Sequence, residues 1–289
     1  MPAYEHTYLQ INAEIRLHLV LAGPPEGKPI LLLHGFPEFW YGWRNQIMAL
    51  AAKGYRVIAP DQRGYNLSSA PKAVAAYGLD HLSQDVIFIL DHFGIEKVSL
   101  VGHDWGAAVA WTVALLHPER VERLAILNVP HPAVMMNFIR KNPQQMLKSW
   151  YIAFFQIPGL ADWLMRLNNF EGVLKMLTAS GQPGTFSPED LSEYRKAYSN
   201  SGGLTGMINW YRALVRHPLK EKTKAQIELP VLILWGKKDI ALSAKMAEES
   251  LKLSKNGRLI FFENATHWVQ HDEAAAITGE LLQFMKKSP

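Results

Sequence analysis

The stretch VSLVGHDWGAAVAW, residues 98–111, runs from one apolar segment through a short polar turn into a second apolar segment. Its first half has the length and apolarity of a strand buried on both faces, and its second half has a helical pattern. Gly102 and Gly106 flank Asp104 at two residues on either side. Small residues at these positions allow a strand and a helix to approach closely around one projecting side chain. The stretch therefore predicts a sharp strand–turn–helix unit with Asp104 at its apex.

Similar apolar runs recur along the rest of the chain. Residues 8–21 alternate apolar and polar side chains and predict a β-hairpin that turns at Asn12 and Ala13. The runs that do not alternate indicate parallel strands covered on both faces, and they are residues 29–35, 56–61, 98–104, 123–129, 230–236 and 258–264. Helical patterns separate most of them, at residues 79–93, 105–116, 243–253 and 273–285. The sequence predicts an α/β fold with a mostly parallel eight-stranded sheet and helices on both faces.

One long interval breaks this alternation. Residues 130–218 are helix-patterned without a clear strand, and they are rich in tryptophan and methionine. We expect these residues to form a helical lid, inserted into a core made of residues 1–129 and 219–289. A second independent domain is the alternative. The Phe, Trp, Met and Leu side chains of this interval favour apolar substrates.

Composition excludes several classes of protein. The 289 residues are 48% hydrophobic and 19% charged, which is typical of a globular chain, and the absence of cysteine excludes disulfide scaffolds and thiolate chemistry. The densest basic cluster, residues 220–224, is interrupted by Glu221 and Thr223, so no nucleic-acid partner is expected. No apolar run approaches 18 residues and the N-terminus lacks an apolar signal core, so we expect no membrane span and a cytoplasmic location. No HExxH-type cluster is present, so we expect no metal.

The aspartate at the apex decides which chemistry the predicted turn can perform. With an ordinary pKa of about 3.9, a carboxylate is already ionised at neutral pH and needs no base to become a nucleophile. Its attack on an acyl carbon would give a reactive anhydride, whereas attack on a saturated carbon gives a stable ester. Asp104 therefore indicates substrates with an electrophilic sp³ carbon, such as epoxides or alkyl halides. Helix capping alone is the alternative role for this residue.

Four further positions complete a candidate catalytic constellation. His34-Gly35-Phe36 follows a predicted strand, and its loop supplies one oxyanion-hole N–H, from Phe36, while the residue after the nucleophile, Trp105, supplies the second. Asp239 and His267 each follow a later strand, in the order nucleophile, acid, base that hydrolases of this kind use. Of the other histidines, His34 and His103 are expected to make structural hydrogen bonds, and those expected at the surface are His6, His18, His81, His92 and His271.

Segments across nearly the whole chain resemble the epoxide hydrolases of the α/β-hydrolase superfamily. The matching stretches are HGFPEFWYGWR (34–44), DQRGYNLSSAP (61–71), GHDWGAAVAW (102–111), LLHPERV (115–121) and THW (266–268). Asn66 departs from the family pattern, which commonly has glycine there, although asparagine tolerates a left-handed backbone. The resemblance implies an α/β-hydrolase fold and a cis peptide bond before Pro37.

Two segments of the predicted lid are similar to the same family. YIAFFQIPG (151–159) looks like the segment whose leading tyrosine polarises the epoxide oxygen, and NWYR (209–212) looks like the segment with the second tyrosine. The substrate-binding residues that the resemblance implies are Phe36, Pro37, Trp105, Tyr151 and Tyr211. The implied reaction converts an apolar epoxide and water to a vicinal diol through a hydroxyalkyl ester on Asp104. It needs no cofactor.

Two other functions stay open at this point. A dehalogenase would use the same three residues, Asp104, Asp239 and His267, against an alkyl halide. Haloalkane dehalogenases typically have Asn where this chain has Phe36, and haloacetate dehalogenases have Arg where it has Trp105, so these positions favour an epoxide. A weak side activity on halides is compatible with the sequence. A non-catalytic α/β-hydrolase scaffold that binds a ligand is a remote alternative, because no catalytic residue is missing.

Overall fold

The computed structural model describes residues 4–200, 204–219 and 226–286, and within these ranges the chain forms eight strands and twelve α-helices. The strands are β1 (Glu5–Gln10), β2 (Arg16–Ala22), β3 (Pro29–Leu33), β4 (Arg56–Pro60), β5 (Val98–His103), β6 (Val121–Leu127), β7 (Ile227–Gly236) and β8 (Ser254–Phe262). The helices are α1 (Arg44–Ala51), α2 (Leu79–His92), α3 (Trp105–Leu116), α4 (Pro132–Lys141), α5 (Pro143–Lys148), α6 (Trp150–Phe155), α7 (Leu160–Ser180), α8 (Pro188–Ser199), α9 (Leu204–Arg216), α10 (Lys245–Leu251), α11 (Val269–Asp272) and α12 (Ala274–Lys286).

All eight strands belong to one sheet, in the order β1-β2-β4-β3-β5-β6-β7-β8. β2 pairs antiparallel with both β1 and β4, and every pairing from β4 to β8 is parallel. The predicted α/β-hydrolase fold with a mostly parallel eight-stranded sheet is confirmed. The strand order reverses at β3, between β4 and β5, and ligands of such sheets bind beyond the carboxyl ends of the strands near this point.

Apolar side chains cover both faces of the sheet, which explains why the strands lack alternation in the sequence. Along β3, Leu31 and Leu33 belong to the core cluster that includes α2 and α3, whereas Ile30 and Leu32 belong to the cluster with α1 and α12. All four side chains are buried. Each contributes about 1.5–3 kcal/mol relative to an exposed position.

Several strands begin earlier than their apolar patterns predict. β7 begins at Ile227 and β8 at Ser254, because these two residues pair with each other at the start of the longest parallel ladder in the sheet. The ladder shifts register between Ile227 and Pro230, where the proline offers no N–H. Polar residues can take part in such ladders through backbone groups alone, so the apolar pattern marks only the buried part of a strand.

Six helices, α4 to α9, lie between β6 and β7, and we call them the helical insert. They occupy most of the interval for which a lid over residues 130–218 is predicted, and its exact boundaries stay a prediction. α7 is interrupted at residues 167–170, where Asn168, Asn169 and Phe170 adopt left-handed backbone angles. No helix within the described ranges has the length and apolarity needed to cross a bilayer. The interrupted basic cluster at residues 220–224 lies outside the described residues.

Candidate active site

The ends of five neighbouring strands bring the candidate residues together. Phe36 follows β3, Asp104 follows β5, Asn128 follows β6, Asp239 follows β7 and His267 follows β8. Because β3, β5, β6, β7 and β8 are adjacent and parallel, all five residues lie at the same edge of the sheet. This is the edge at which ligands bind in sheets of this class.

The turn at the end of β5 has the geometry that its glycines predict. Asp104 has φ 48° and ψ −124°, an unusual backbone conformation for a residue with a side chain. Gly106 contacts the end of β3 so closely that a Cβ there would lie 2.1 Å from the carbonyl oxygen of Leu33. A Cβ on Gly35 would lie 2.3 Å from the Cβ of Asp104. The glycines therefore allow strand, turn and helix to approach around the Asp104 carboxylate.

The carboxylate of Asp104 has two polar neighbours. The backbone N–H of Phe36 donates to its Oδ1 at 2.6 Å, and the Nε2 of His267 lies 3.5 Å from its Oδ2. The Asp104 side chain is 18% exposed, so it is mostly shielded from water. The peptide bond between Phe36 and Pro37 is cis, as the resemblance implies. That the backbone N–H of Trp105 contributes to an oxyanion hole remains a prediction.

Asp239 orients His267 from the opposite side of the imidazole ring. The Nδ1–H of His267 donates to Oδ2 of Asp239 at 2.8 Å, which leaves Nε2 directed towards Asp104. The other oxygen of Asp239 accepts the backbone N–H groups of Ala241 at 2.7 Å and Leu242 at 2.9 Å. With both oxygens engaged, Asp239 has a fixed position, and the sequence-predicted acid, base and nucleophile are aligned.

Asn128 is a site residue that the sequence reasoning missed. Its Nδ2 donates to Oδ2 of Asp239 at 2.7 Å, and its Oδ1 accepts the N–H of Gly236 at 3.0 Å. It adopts φ 52°, a conformation that asparagine tolerates better than most residues. The available signal was an asparagine directly after a buried strand, at the edge of the sheet where the other site residues lie.

Burial and mutual charge set the protonation of the three groups. Burial opposes a charge on His267, but the carboxylates of Asp239 and Asp104 raise the pKa of His267 to about 10. Burial would also raise the pKa of Asp104, yet the interaction with His267 and the Phe36 N–H hold the pKa of that carboxyl below its ordinary value. The pKa of Asp239 is likewise lowered, against the effect of burial, by His267. At neutral pH the site therefore contains two carboxylates and the imidazolium between them.

Tyr151 and Tyr211 reach this site from the helical insert, on α6 and α9. The ring of Tyr211 packs edge-on against Trp105 at 5.0 Å and against Phe36 at 5.2 Å, and Tyr151 lies 5.7 Å from Tyr211 between ring centroids. Burial, and then the negative charge of Asp104, raise the pKa of both phenols. Both side chains are therefore protonated at neutral pH and can act as hydrogen-bond donors.

Arg212, directly after Tyr211, joins the helices of the insert. Its Nε donates to the carbonyl of Phe155 at 3.0 Å, and its Nη2 pairs with Asp162 at 2.5 Å. These bonds attach α9 to the end of α6 and the start of α7. The sequence offered no role for Asp162, because its partner lies fifty residues away.

A second network of buried hydrogen bonds is centred on the carboxylate of Glu38. Its carboxylate accepts hydrogen bonds from Tyr194 at 2.6 Å, from His271 at 2.6 Å and from Gln270 at 2.8 Å. Burial alone would raise the pKa of Glu38, but His271 and His103 hold it well below its ordinary range. The expectation that His271 lies at the surface is wrong, because its side chain pairs with this buried acid.

The remaining histidines near the sheet act through hydrogen bonds. His103 Nε2 donates to the carbonyl of His267 at 2.9 Å, and His34 Nδ1 lies 3.1 Å from the carbonyl oxygen of Gly35, so the structural role expected for both is confirmed. His18 was expected at the surface, but it is fully buried and its Nδ1 pairs with Asp61 at 2.6 Å. This expectation is wrong because β2 lies inside the sheet, between β1 and β4.

Among the residues that the structure describes, no group of three or more histidine, cysteine, aspartate or glutamate side chains is arranged to hold a metal ion. The walls around Asp104 are instead aromatic. Phe155 packs against Tyr211 at 4.8 Å and against Phe36 at 5.7 Å. The site thus combines an ionised carboxylate, an aligned acid–base pair, two phenol donors and apolar walls.

Known proteins are similar to this chain over nearly its whole length. The family described as "alpha/beta hydrolase fold" matches residues 28–274. The AB hydrolase superfamily protein YfhM of Bacillus subtilis is 45% identical over 272 residues, covering 94% of this chain and 95% of that protein. Epoxide hydrolase 4 of Homo sapiens is 40% identical over 292 residues, covering 98% of this chain and 79% of that protein. The crystal structure of a Bacillus megaterium epoxide hydrolase with an inhibitor has a TM-score of 0.89 at 30% identity, covering 97% of this chain and 100% of that one. This chain therefore belongs to the epoxide hydrolase family of the α/β-hydrolase superfamily.

Proposed function

We propose that this protein hydrolyses epoxides to vicinal diols through a covalent hydroxyalkyl ester on Asp104. The observation that carries the proposal is that two phenols of the insert, Tyr151 and Tyr211, lie 5.7 Å apart between ring centroids, with Tyr211 packed edge-on against Trp105, the residue next to Asp104. An ionised nucleophile opposite two neutral proton donors suits a substrate whose leaving group is an alkoxide. The names of the relatives, several of which are epoxide hydrolases, support the same reaction.

In the first step, an oxygen of Asp104 attacks one oxirane carbon and the carbon–oxygen bond of the ring breaks. The oxygen that leaves takes a proton from Tyr151 or Tyr211 and becomes a hydroxyl, and a proton from solvent later restores the phenol. Hydrogen bonds to a group that is becoming charged are each worth about 1.5–3 kcal/mol. The product is a hydroxyalkyl ester on Asp104.

In the second step, the imidazolium of His267 first gives up its proton to solvent. The neutral imidazole then removes a proton from water, and the resulting hydroxide attacks the ester carbonyl. Formation of the ester removes the charge of Asp104, which is one of the groups that raise the pKa of His267. The imidazole therefore becomes easier to deprotonate when a base is needed, while Asp239 keeps it oriented. The N–H groups of Phe36 and Trp105 stabilise the oxyanion, where one such donor typically contributes about 10²–10³ in rate. The diol leaves and the Asp104 carboxylate is restored.

The substrate class follows from the walls of the site. Aromatic rings surround Asp104 and Tyr211, so we propose apolar substituents on the epoxide. Residues 130–218 would act as the lid, since α6 and α9 carry the two tyrosines. We also propose that water is the co-substrate and that the protein is cytoplasmic.

A panel of substrates tests this function against the alternatives. The purified protein is assayed with a chromogenic epoxide, with alkyl halides and with fluoroacetate, and Asp104→Ala serves as the control on each. We expect diol release that depends on Asp104 and exceeds halide release. Faster release of halide or fluoride would assign a dehalogenase instead. No turnover of any substrate by a folded protein would indicate a non-catalytic scaffold.

A further inference from the structure

The outer surface of the helical insert is apolar to a degree that is unusual for a surface in water. Of the sixteen large apolar side chains that are exposed in the described part of the chain, twelve fall within residues 136–215. Scattered exposed apolar residues are common, whereas a concentration of them marks an interaction surface. The six that carry the argument, which we call the outer face, are Met146, Leu147, Trp150, Leu160, Trp163 and Leu164.

The helical spacing shows that this exposure is systematic. Leu160, Trp163 and Leu164 follow the i, i+3, i+4 spacing of one face of α7, and all three are exposed, while the neighbouring Ala161, which lies off this face, is buried. This helix therefore directs its apolar face away from the protein core. On α5 and α6 the exposure is greater still, and Leu147 is 70% exposed.

A buried arginine connects the helices that carry the outer face. Arg212 bonds the carbonyl of Phe155, at the end of α6, and also pairs with Asp162 in the first turn of α7. These bonds link the helix that begins with Trp150 to the helix that carries Trp163, and the two side chains are 65% and 59% exposed.

The segment that carries α4, α5 and α6 has charges of one sign only. Between Glu122 and Asp162 the chain has no acidic residue, and three exposed basic residues, Arg140, Lys141 and Lys148, lie in this interval. Asp162 itself is neutralised by Arg212. Exposed apolar side chains, tryptophan among them, with exposed basic residues in the same segment combine the two features that bind anionic bilayers.

We propose that the outer face docks this protein onto the surface of an anionic phospholipid bilayer. Leucine and tryptophan side chains would enter the interface, and Arg140, Lys141 and Lys148 would contact the headgroups. A second copy of the chain fits less well, since a symmetric contact through this face would place the basic residues of both copies in one interface. An anionic surface instead complements them.

Docking in this orientation would place the lipid next to the active site. Tyr151 directly follows Trp150 in α6, and it packs inward against Tyr211 while Trp150 faces outward. An apolar epoxide dissolved in the bilayer would then be near the helices that bind it. This consequence rests on the proposed function, whereas the docking itself does not.

Vesicle binding tests the proposal directly. The full chain is sedimented with vesicles of phosphatidylcholine, with and without about 30% phosphatidylglycerol, and quenching of tryptophan fluorescence by brominated lipid reports insertion. We expect binding to the anionic vesicles that weakens with salt. The double variant Leu147→Gln/Trp163→Gln should weaken binding by about tenfold or more, and Lys141→Gln/Lys148→Gln by about tenfold. Phe88→Gln on α2, an apolar residue 41% exposed outside the insert, is the matched control.

Three results would overturn the proposal. The first is no binding to either kind of vesicle, and the second is equal binding by the wild type and Leu147→Gln/Trp163→Gln. The third is a dimer, measured by analytical ultracentrifugation without lipid, that this same variant dissociates, which would assign the outer face to a second copy. Turnover of a water-soluble epoxide is measured in parallel and should be the same in every variant. Failure of docking can therefore be distinguished from failure of the proposed function.

Discussion

The nucleophile side and the tyrosine side of the active site are held in place by different forces. Asp104, Asp239 and His267 lie at strand ends, and each accepts or donates hydrogen bonds of 2.6–2.9 Å. Tyr151 and Tyr211 lie on the helical insert and contact their surroundings mainly through ring faces and edges. Directional bonds fix atoms, whereas aromatic packing tolerates small shifts. The contrast suggests that the sheet determines the chemistry and the insert adapts the site to a substrate.

The largest effect is expected for Asp104→Ala. This change removes the nucleophile, so turnover should fall by about 10⁴-fold or more. The fold should survive, because His267 keeps its bond to Asp239. Steady-state rates and a melting curve check this. A folded variant that retained more than a few per cent of the wild-type rate would contradict covalent catalysis by Asp104.

The variant His267→Gln should separate the two steps. Loss of a general base typically costs about 10²–10⁴ in rate, and here the cost should fall on ester hydrolysis alone. One equivalent of epoxide should be consumed in a burst, and mass spectrometry should find the substrate mass on Asp104. Absence of the adduct, under conditions where substrate binds, would contradict the division of steps between the two residues.

Smaller effects are expected on the insert side. Tyr151→Phe and Tyr211→Phe should each slow alkylation of Asp104 by about 10 to 150-fold, from a lost donor worth ~1.5–3 kcal/mol. The double variant should lose more than either, since one phenol can partly replace the other. Single-turnover kinetics measures this.

The matched control is Tyr198→Phe, whose buried hydroxyl has no hydrogen-bond partner among the described residues. It should alkylate at the wild-type rate. Near wild-type alkylation by the double variant would mean that the tyrosines of the insert serve only packing, and the epoxide assignment would lose its main support.

The smallest effect concerns stability. Because folding raises the pKa of His267 to about 10, its stabilising contribution is fully present below its unfolded value of about 6.5 and is lost as pH rises through 10. In Asp104→Ala one of the raising charges is gone, so the loss should occur at lower pH. The melting temperatures of the wild type and of Asp104→Ala are measured from about pH 6 to 10. The two curves of melting temperature against pH should differ in shape by a few degrees, since about 1 kcal/mol corresponds to ~2–4 °C at this size. If the curves of the two proteins ran parallel, the effect of the Asp104 charge on the pKa of His267 would be contradicted.

The sequence predicts the nucleophile side well because its signals are local. Gly102, Asp104 and Gly106 sit within five residues, and the positions of Asp239 and His267 follow from counting strands. Asn128 was missed because its role depends on Asp239, more than a hundred residues away along the chain. Side-chain pairs of this kind become visible only when the fold brings their partners together.

On the insert, the sequence shows which residues share a face but not where the face points. The tryptophans of residues 130–218 predict an apolar lining. Trp210 is buried, in line with that expectation, whereas Trp150 and Trp163 are largely exposed. Helical spacing is the same for an inward and an outward apolar face, so periodicity alone could not decide between them.

The position of the insert in the chain bears on how such proteins can diversify. The insert leaves the sheet after β6 and returns at β7, and these strands are direct neighbours that pair through Leu124–Val231 to Leu127–Leu234. Helices can thus be lengthened, shortened or exchanged between two adjacent strands without altering strand order or the residues at the strand ends. The entropic cost of a longer connection also grows only slowly with its length. Selection can therefore vary the substrate-facing half as a replaceable module while the reactive half is inherited unchanged.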